Sequence, residues 1–276
     1  MLHTKIFMKT LFIVSGLLLQ LISSNTYADK IDLFIMAGQS NMQGWRSDAA
    51  AYPTDKYQSD KRIPFYFRAL NYDSSNNEWE TLHPQKGHFR KGHFGPEVSF
   101  SRALLKNKQL KPAIFKYSSG GSSLKLDWKT YGKKGLYDDM VNNLKTAIKG
   151  LEAQGHTVIP RAIIWIQGES DADSDQLANE YYWHLKRMLT HLRNNIIQIP
   201  NLPVILSVDE LHPRVQQRPQ VVDAQLRLAL ENNNISFVSM MGLEKYDSTH
   251  LTAKGTIEQG KRLFLAYKKL KGRSIN

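Results

Sequence analysis

Short apolar runs recur along the chain, separated by longer stretches in which apolar side chains return every three or four positions. Residues 33–37, 113–117, 162–166, 204–208 and 235–240 have the length and composition of buried strands. Between the third and fourth runs, Leu177, Tyr181, Leu185, Met188 and Leu192 keep a helical period. Residues 138–153 place Met140, Val141, Leu144, Ala147, Ile148 and Leu151 on one helical face. Further helices are predicted over 221–230 and 256–270, and Pro96 suits the first turn of a helix running to Lys106. Strands alternating with helices predict an α/β fold, a parallel sheet covered by helices on both faces. Residues 45–95 break this rhythm. They are rich in Asn, Asp, Ser, Tyr and Trp, with only short strand-like pieces such as 63–68. They read as a long excursion over the top of the sheet, and excursions of that length are usually functional. No repeat or linker divides residues 29–276, which read as one domain.

The first 28 residues have a different character. Lys5 and Lys9 precede an apolar stretch from Leu11 to Ile22, and Thr26-Tyr27-Ala28 places small residues where a signal peptidase cuts. The apolar stretch is shorter than the ~18 residues that span a bilayer, so a cleaved leader is expected rather than an anchor. The expected location is periplasmic or secreted. The chain of 276 residues contains no cysteine, which excludes disulfides and thiolate chemistry. The formal charge is +12; the leader carries two of the 37 cations and none of the 25 acids, leaving the mature chain at +10. Such a balance favours acidic partners. The lysines are scattered, as on solvated helix faces, and no nucleic-acid motif accompanies them. Oligomeric state has no signature in the sequence.

Four polar segments follow the predicted strands: 38–43, 118–124, 167–171 and 247–250. In a parallel sheet the carboxyl ends of strands share one edge, so these segments are expected to converge. Ser40 is the candidate nucleophile, held at the end of a buried strand. Asp247 and His250, three residues apart, supply a carboxylate and an imidazole, the latter to act as general base. Each motif also has a plain structural use, as a helix cap or turn; their joint occurrence in this order carries the reading. Gly120 and Gly121 allow close backbone approach, so that an N–H can meet a developing oxyanion. Gln167 offers a side-chain donor to the same oxyanion. Gln39 and Asn41 flank the nucleophile and could bind substrate or lock the turn. Glu169 could orient the surroundings of Ser40 or fix a loop. His83, His88 and His93 lack regular ligand spacing, so no metal and no cofactor is expected. Chelation should leave the rate unchanged.

Gly-Gln-Ser-Asn-Met (38–42), Gly-Pro-Glu (95–97), Gly-Gly-Ser (120–122), Trp-x-Gln-Gly-Glu-Ser-Asp (165–171) and Asp-x-x-His (247–250) resemble the SGNH-hydrolase superfamily. The resemblance is strongest to its sialate O-acetylesterase-like and carbohydrate esterase family 6 (acetylxylan esterase) branch, and covers residues 31–270. It implies a flavodoxin-like, three-layer αβα sandwich with a five-stranded parallel sheet. It also implies metal-free deacetylation of an acetylated glycan through an acyl-serine. By position it assigns Ser40, Asp247 and His250 to the triad, and Gly121 and Gln167, with Ser40, to the oxyanion hole. Two alternatives stand beside this reading. One is a non-catalytic glycan-binding protein on the same fold. The other is an esterase or lipase of other acyl esters, against which the polar, aromatic 45–95 segment argues.

Overall fold

The computed structural model describes residues 29–273; the predicted leader lies outside them. Its centre is a sheet of eight strands, made by β1 (Lys30–Gly38), β2 (Pro64–Ala69), β3 (Asp73–Ser74), β4 (Glu80–Thr81), β5 (Pro112–Ser118), β6 (Thr157–Ile166), β7 (Val204–Ser207) and β8 (Ile235–Phe237). The order is β3-β2-β5-β1-β6-β7-β8, with β4 also paired to β2. β2, β5, β1, β6, β7 and β8 run parallel; the two-residue strands β3 and β4 run antiparallel to β2. The five expected strands are present. The sheet exceeds them because the 45–95 excursion contributes β2, which pairs Phe65–Ala69 with Ile114–Ser118, and returns to it twice.

The helices are α1 (Ser40–Gln43), α2 (Glu97–Leu104), α3 (Leu136–Ala153), α4 (Asp175–His191), α5 (Pro213–Gln217), α6 (Gln220–Glu231) and α7 (Ala253–Arg273). Successive side chains of a strand point to opposite faces. In β1, Leu33, Ile35 and Ala37 therefore enter one core with apolar residues of α3, α4 and α6, while Phe34 and Met36 enter another with those of α2 and α7. This makes the three layers. β1 is central and buried on both faces, hence its nearly unbroken apolar sequence. β5 and β6 flank it, so the segments leaving all three open at one edge.

Candidate active site

β1 ends at Gly38, where φ is +154° and an added Cβ would lie 2.0 Å from the Ile166 carbonyl oxygen. Only glycine permits that approach of β6. The Gln39 N–H donates to the same carbonyl at 2.9 Å, and α1 starts at Ser40. The serine is thus fixed at the strand's end, 8% exposed, with its N–H in the helical first turn where no intrahelical acceptor exists. Gln39 Oε1 receives the Gly168 N–H at 3.4 Å, tying this turn to the loop after β6.

His250 enters from the other end of the chain. Its Nδ1 lies 2.9 Å from Asp247 Oδ2. The Thr249 and His250 N–H groups donate to Asp247 Oδ1 at 2.7 and 2.8 Å, and the Thr249 hydroxyl donates to it at 2.9 Å. Partial burial pushes the Asp247 carboxyl up, but these bonds outweigh it and hold the group well below the usual carboxylate range. Arg46, stacked between the rings of Trp45 and Tyr246, lies 3.8 Å from Asp247 Oδ2. Ser40 and His250 line one cleft of about 530 Å³. Among the described residues the Ser40 hydroxyl forms no hydrogen bond, to His250 or otherwise; such contacts are often loose without substrate.

All four polar segments reach this cleft, through Gln39, Ser40 and Gln43, through Ser119, Gly120 and Gly121, through Glu169 and Ser170, and through Thr249 and His250. Gly121 has φ +66°, the left-handed region glycine tolerates. A Cβ on Gly120 would stand 4.0 Å from that of Ser40. No described residue accepts from the N–H of either glycine. Gln167 differs from expectation. It is fully buried, and its Nε2 donates to the Ser122 carbonyl at 3.0 Å and to Asp171 Oδ2 at 2.6 Å. Its Oε1 accepts from the Tyr181 hydroxyl at 3.1 Å. With both amide hydrogens used away from the cleft, Gln167 has no donor left for an oxyanion. It instead joins Asp171 in holding the Gly-Gly-Ser loop: Asp171 also accepts from the Ser123 hydroxyl at 2.8 Å and the Leu124 N–H at 2.7 Å.

Glu169 is buried at the cleft wall. Its Oε1 accepts the Asp209 N–H at 3.1 Å and its Oε2 has no hydrogen-bond partner. Burial pushes its carboxyl up to about 7, against backbone N–H groups that favour the charge. The Gly-Pro-Glu motif lies beneath α1. Glu97 Oε1 accepts the Gly95 N–H at 2.9 Å, and its Oε2 pairs with Lys116 Nζ at 2.9 Å. Lys116 also donates to the Gln43 carbonyl at 3.1 Å, so a buried ion pair supports the helix that carries Ser40. Sequence reading missed Lys116, because one lysine inside an apolar run looks like an exposed edge position. Trp45, one of the aromatics of the 45–95 excursion, lines the cleft as that segment's composition suggested, whereas Tyr72, His212 and Arg214 were not foreseen as cleft residues. The aromatic content of 45–95 was the available signal for Tyr72. His83, His88 and His93 stay apart: His83 faces Glu80, His88 packs on Trp45, and both nitrogens of His93 are buried without a partner.

A polar cleft at the carboxyl edge of an αβα sandwich, with the serine delivered after the first strand and the imidazole and carboxylate together by the loop after the last, is an arrangement suited to carboxylic ester hydrolysis. Comparison with known proteins narrows the class. The chain belongs to the family described as carbohydrate esterase, sialic acid-specific acetylesterase, whose model matches residues 30–269. A probable carbohydrate esterase of Arabidopsis thaliana is 28% identical over 248 residues, covering 85% of this chain and 89% of its own. The crystal structure of that Arabidopsis protein aligns with a TM-score of 0.66 at 25% identity, covering 87% of this chain and 98% of its own. The structure of NanS shares the fold, with a TM-score of 0.68 at 16% identity over 89% of this chain and 99% of its own. The protein is therefore a carbohydrate O-acetylesterase.

Proposed function

We propose that the protein is an exported, single-domain serine esterase that removes O-acetyl groups from a glycan through an acyl-Ser40 intermediate. The observation that carries this reading is the Asp247–His250 hydrogen bond, set in a loop that shares one cleft with Ser40. Neutral His250 takes the Ser40 proton as Oγ attacks the acetyl carbonyl carbon. The tetrahedral oxyanion is met by backbone N–H groups of Ser40 and of Gly121 or its neighbour Gly120. As the intermediate collapses, the imidazolium gives its proton to the departing sugar oxygen, and the sugar alcohol leaves. Water then attacks the acyl-serine with His250 as base, and acetate is released. Asp247 orients the imidazole and stabilises its charged form. No step calls for a metal. Trp45 and Tyr72 at the cleft suit stacking on a sugar ring. The leader supports export to the periplasm or medium, and the mature charge of +10 favours an acidic acetylated glycan such as a sialoside.

The test is acetate release by the mature protein from O-acetylated sialic acid, acetylxylan, acetylated pectin and O-acetylated peptidoglycan, with Ser40→Ala alongside. Release from one of these, abolished in a folded Ser40→Ala, is the expected result. Release that persists in Ser40→Ala overturns the acyl-serine route. A wild-type protein that binds a glycan but cleaves neither it nor 4-nitrophenyl acetate would be a binding protein on this fold.

A further inference from the structure

Asn41 follows the nucleophile directly and is 3% exposed, so its amide must spend its hydrogen bonds inside the protein. It spends two of them on one place, while its side chain also lies against the Glu169 carboxyl. Nδ2 donates to the Thr249 carbonyl at 3.0 Å, and Oδ1 accepts the Leu251 N–H at 3.2 Å. The two peptide groups are those on either side of His250. One short side chain thus grips the backbone of the base from both flanks, across 210 residues of sequence. Its own Cα is one residue from the nucleophile, so the grip has almost no slack. A second anchor holds the far side of the loop: Lys245 Nζ pairs with Asp209 Oδ2 at 2.5 Å and donates to the Ser248 carbonyl at 2.6 Å. The Asp209 N–H in turn donates to Glu169, the polar neighbour of Asn41.

We propose that Asn41 is a positioning residue, which sets the His250 imidazole against the Ser40 hydroxyl by clamping the backbone on both sides of it. The inference rests on the acyl-Ser40 reading above. Neither Ser40 nor Asp247 bonds the other's segment to the same effect. The Asp247–His250 bond is internal to the loop and moves with it; Arg46 touches the loop at Asp247 and Tyr246, but the Asn41 clamp holds the backbone on both sides of His250 from the residue next to Ser40.

The proposal is tested by a mutant cycle on kcat and KM, with the substrate cleaved by the wild type or with 4-nitrophenyl acetate. Asn41→Ala should lower kcat about 100-fold, the loss typical of an ångström of misplacement, with KM held within about twofold. Asn41→Ala combined with His250→Ala should be no slower than His250→Ala alone, within about twofold, because groups acting as one unit do not add. A further drop of about 100-fold in the double variant would overturn the proposal, since Asn41 would then act apart from His250. So would an Asn41→Ala rate within about twofold of wild type. If Asn41→Ala does not fold, Asn41→Asp is put through the same cycle. It is isosteric, keeps the acceptor for Leu251 and loses the donor to Thr249. A wild-type protein without esterase activity, or one indifferent to Ser40→Ala, would instead defeat the underlying mechanism, and the two failures are distinguishable.

Discussion

Four groups converge on the Asp247 carboxylate: the Thr249 N–H, the Thr249 hydroxyl, the His250 N–H and His250 Nδ1. In the proposed mechanism the carboxylate therefore stays charged while His250 takes up and gives back its proton. Asp247→Asn would place an amide against Nδ1 and favour the wrong tautomer, so kcat should fall by about 10³-fold with the protein still folded. Steady-state kinetics checks this, and a rate within tenfold of wild type would remove Asp247 from the machinery. Glu169 behaves in the opposite sense. The folded protein keeps its proton up to about pH 7, whereas an unperturbed carboxyl loses it near 4.5. Folding thus takes up a proton within that window. The stability this contributes is present below about pH 4.5 and is lost as the pH rises through about 7, a difference of about 3 kcal/mol. Glu169→Gln should match wild-type melting near pH 4.5 and exceed it at pH 8. Parallel melting curves at both pH values would show that Glu169 does not titrate as a buried acid.

At the scale of elements, α1 is only a turn of helix and needs outside support. Lys116 supplies it through the Gln43 carbonyl, and Glu97 neutralises the lysine in a setting that admits almost no water. Removing one partner leaves the other charge buried. Lys116→Met should cost about 3–5 kcal/mol in denaturant unfolding, and Lys116→Met with Glu97→Leu should recover part of it. A cost below 1 kcal/mol for the single variant would mean that the pair is neutral when buried. Elements also separate what was legible in the sequence from what was not. β1, β5, β6, β7 and β8 could be read because strands packed under helices are mainly apolar, even where one polar residue such as Lys116 or Ser236 interrupts them. β2 could not be placed, because it lies in a polar segment and its pairing with β5 reaches across α2 to a strand not adjacent in sequence. The convergence of four loops followed from parallel topology alone. The role of Gln167 did not: spacing brings a residue to the edge, but hydrogen-bond partners from Ser122, Asp171 and Tyr181 decide where its amide points.

Over the whole molecule, charge is the property that pairwise contacts do not describe. Residues 29–276 carry a formal charge of +10, and an acidic glycan would feel that field well beyond contact distance at low salt. With an anionic acetylated glycan as substrate, KM should rise severalfold between about 0.02 and 0.3 M salt, while KM for 4-nitrophenyl acetate should stay flat. Equal salt dependence for both substrates would assign the effect to something other than steering. The sheet has a further consequence through its order. β1, which leads into Ser40, is the first strand made, while the loop bearing His250 follows the last strand, and the two meet across 210 residues. A ribosome must finish nearly the whole chain before Ser40 and His250 can share a cleft. Under the proposed mechanism, hydrolytic power is the final property to emerge in the life of a new molecule, and a chain cut short anywhere before residue 250 is made without it.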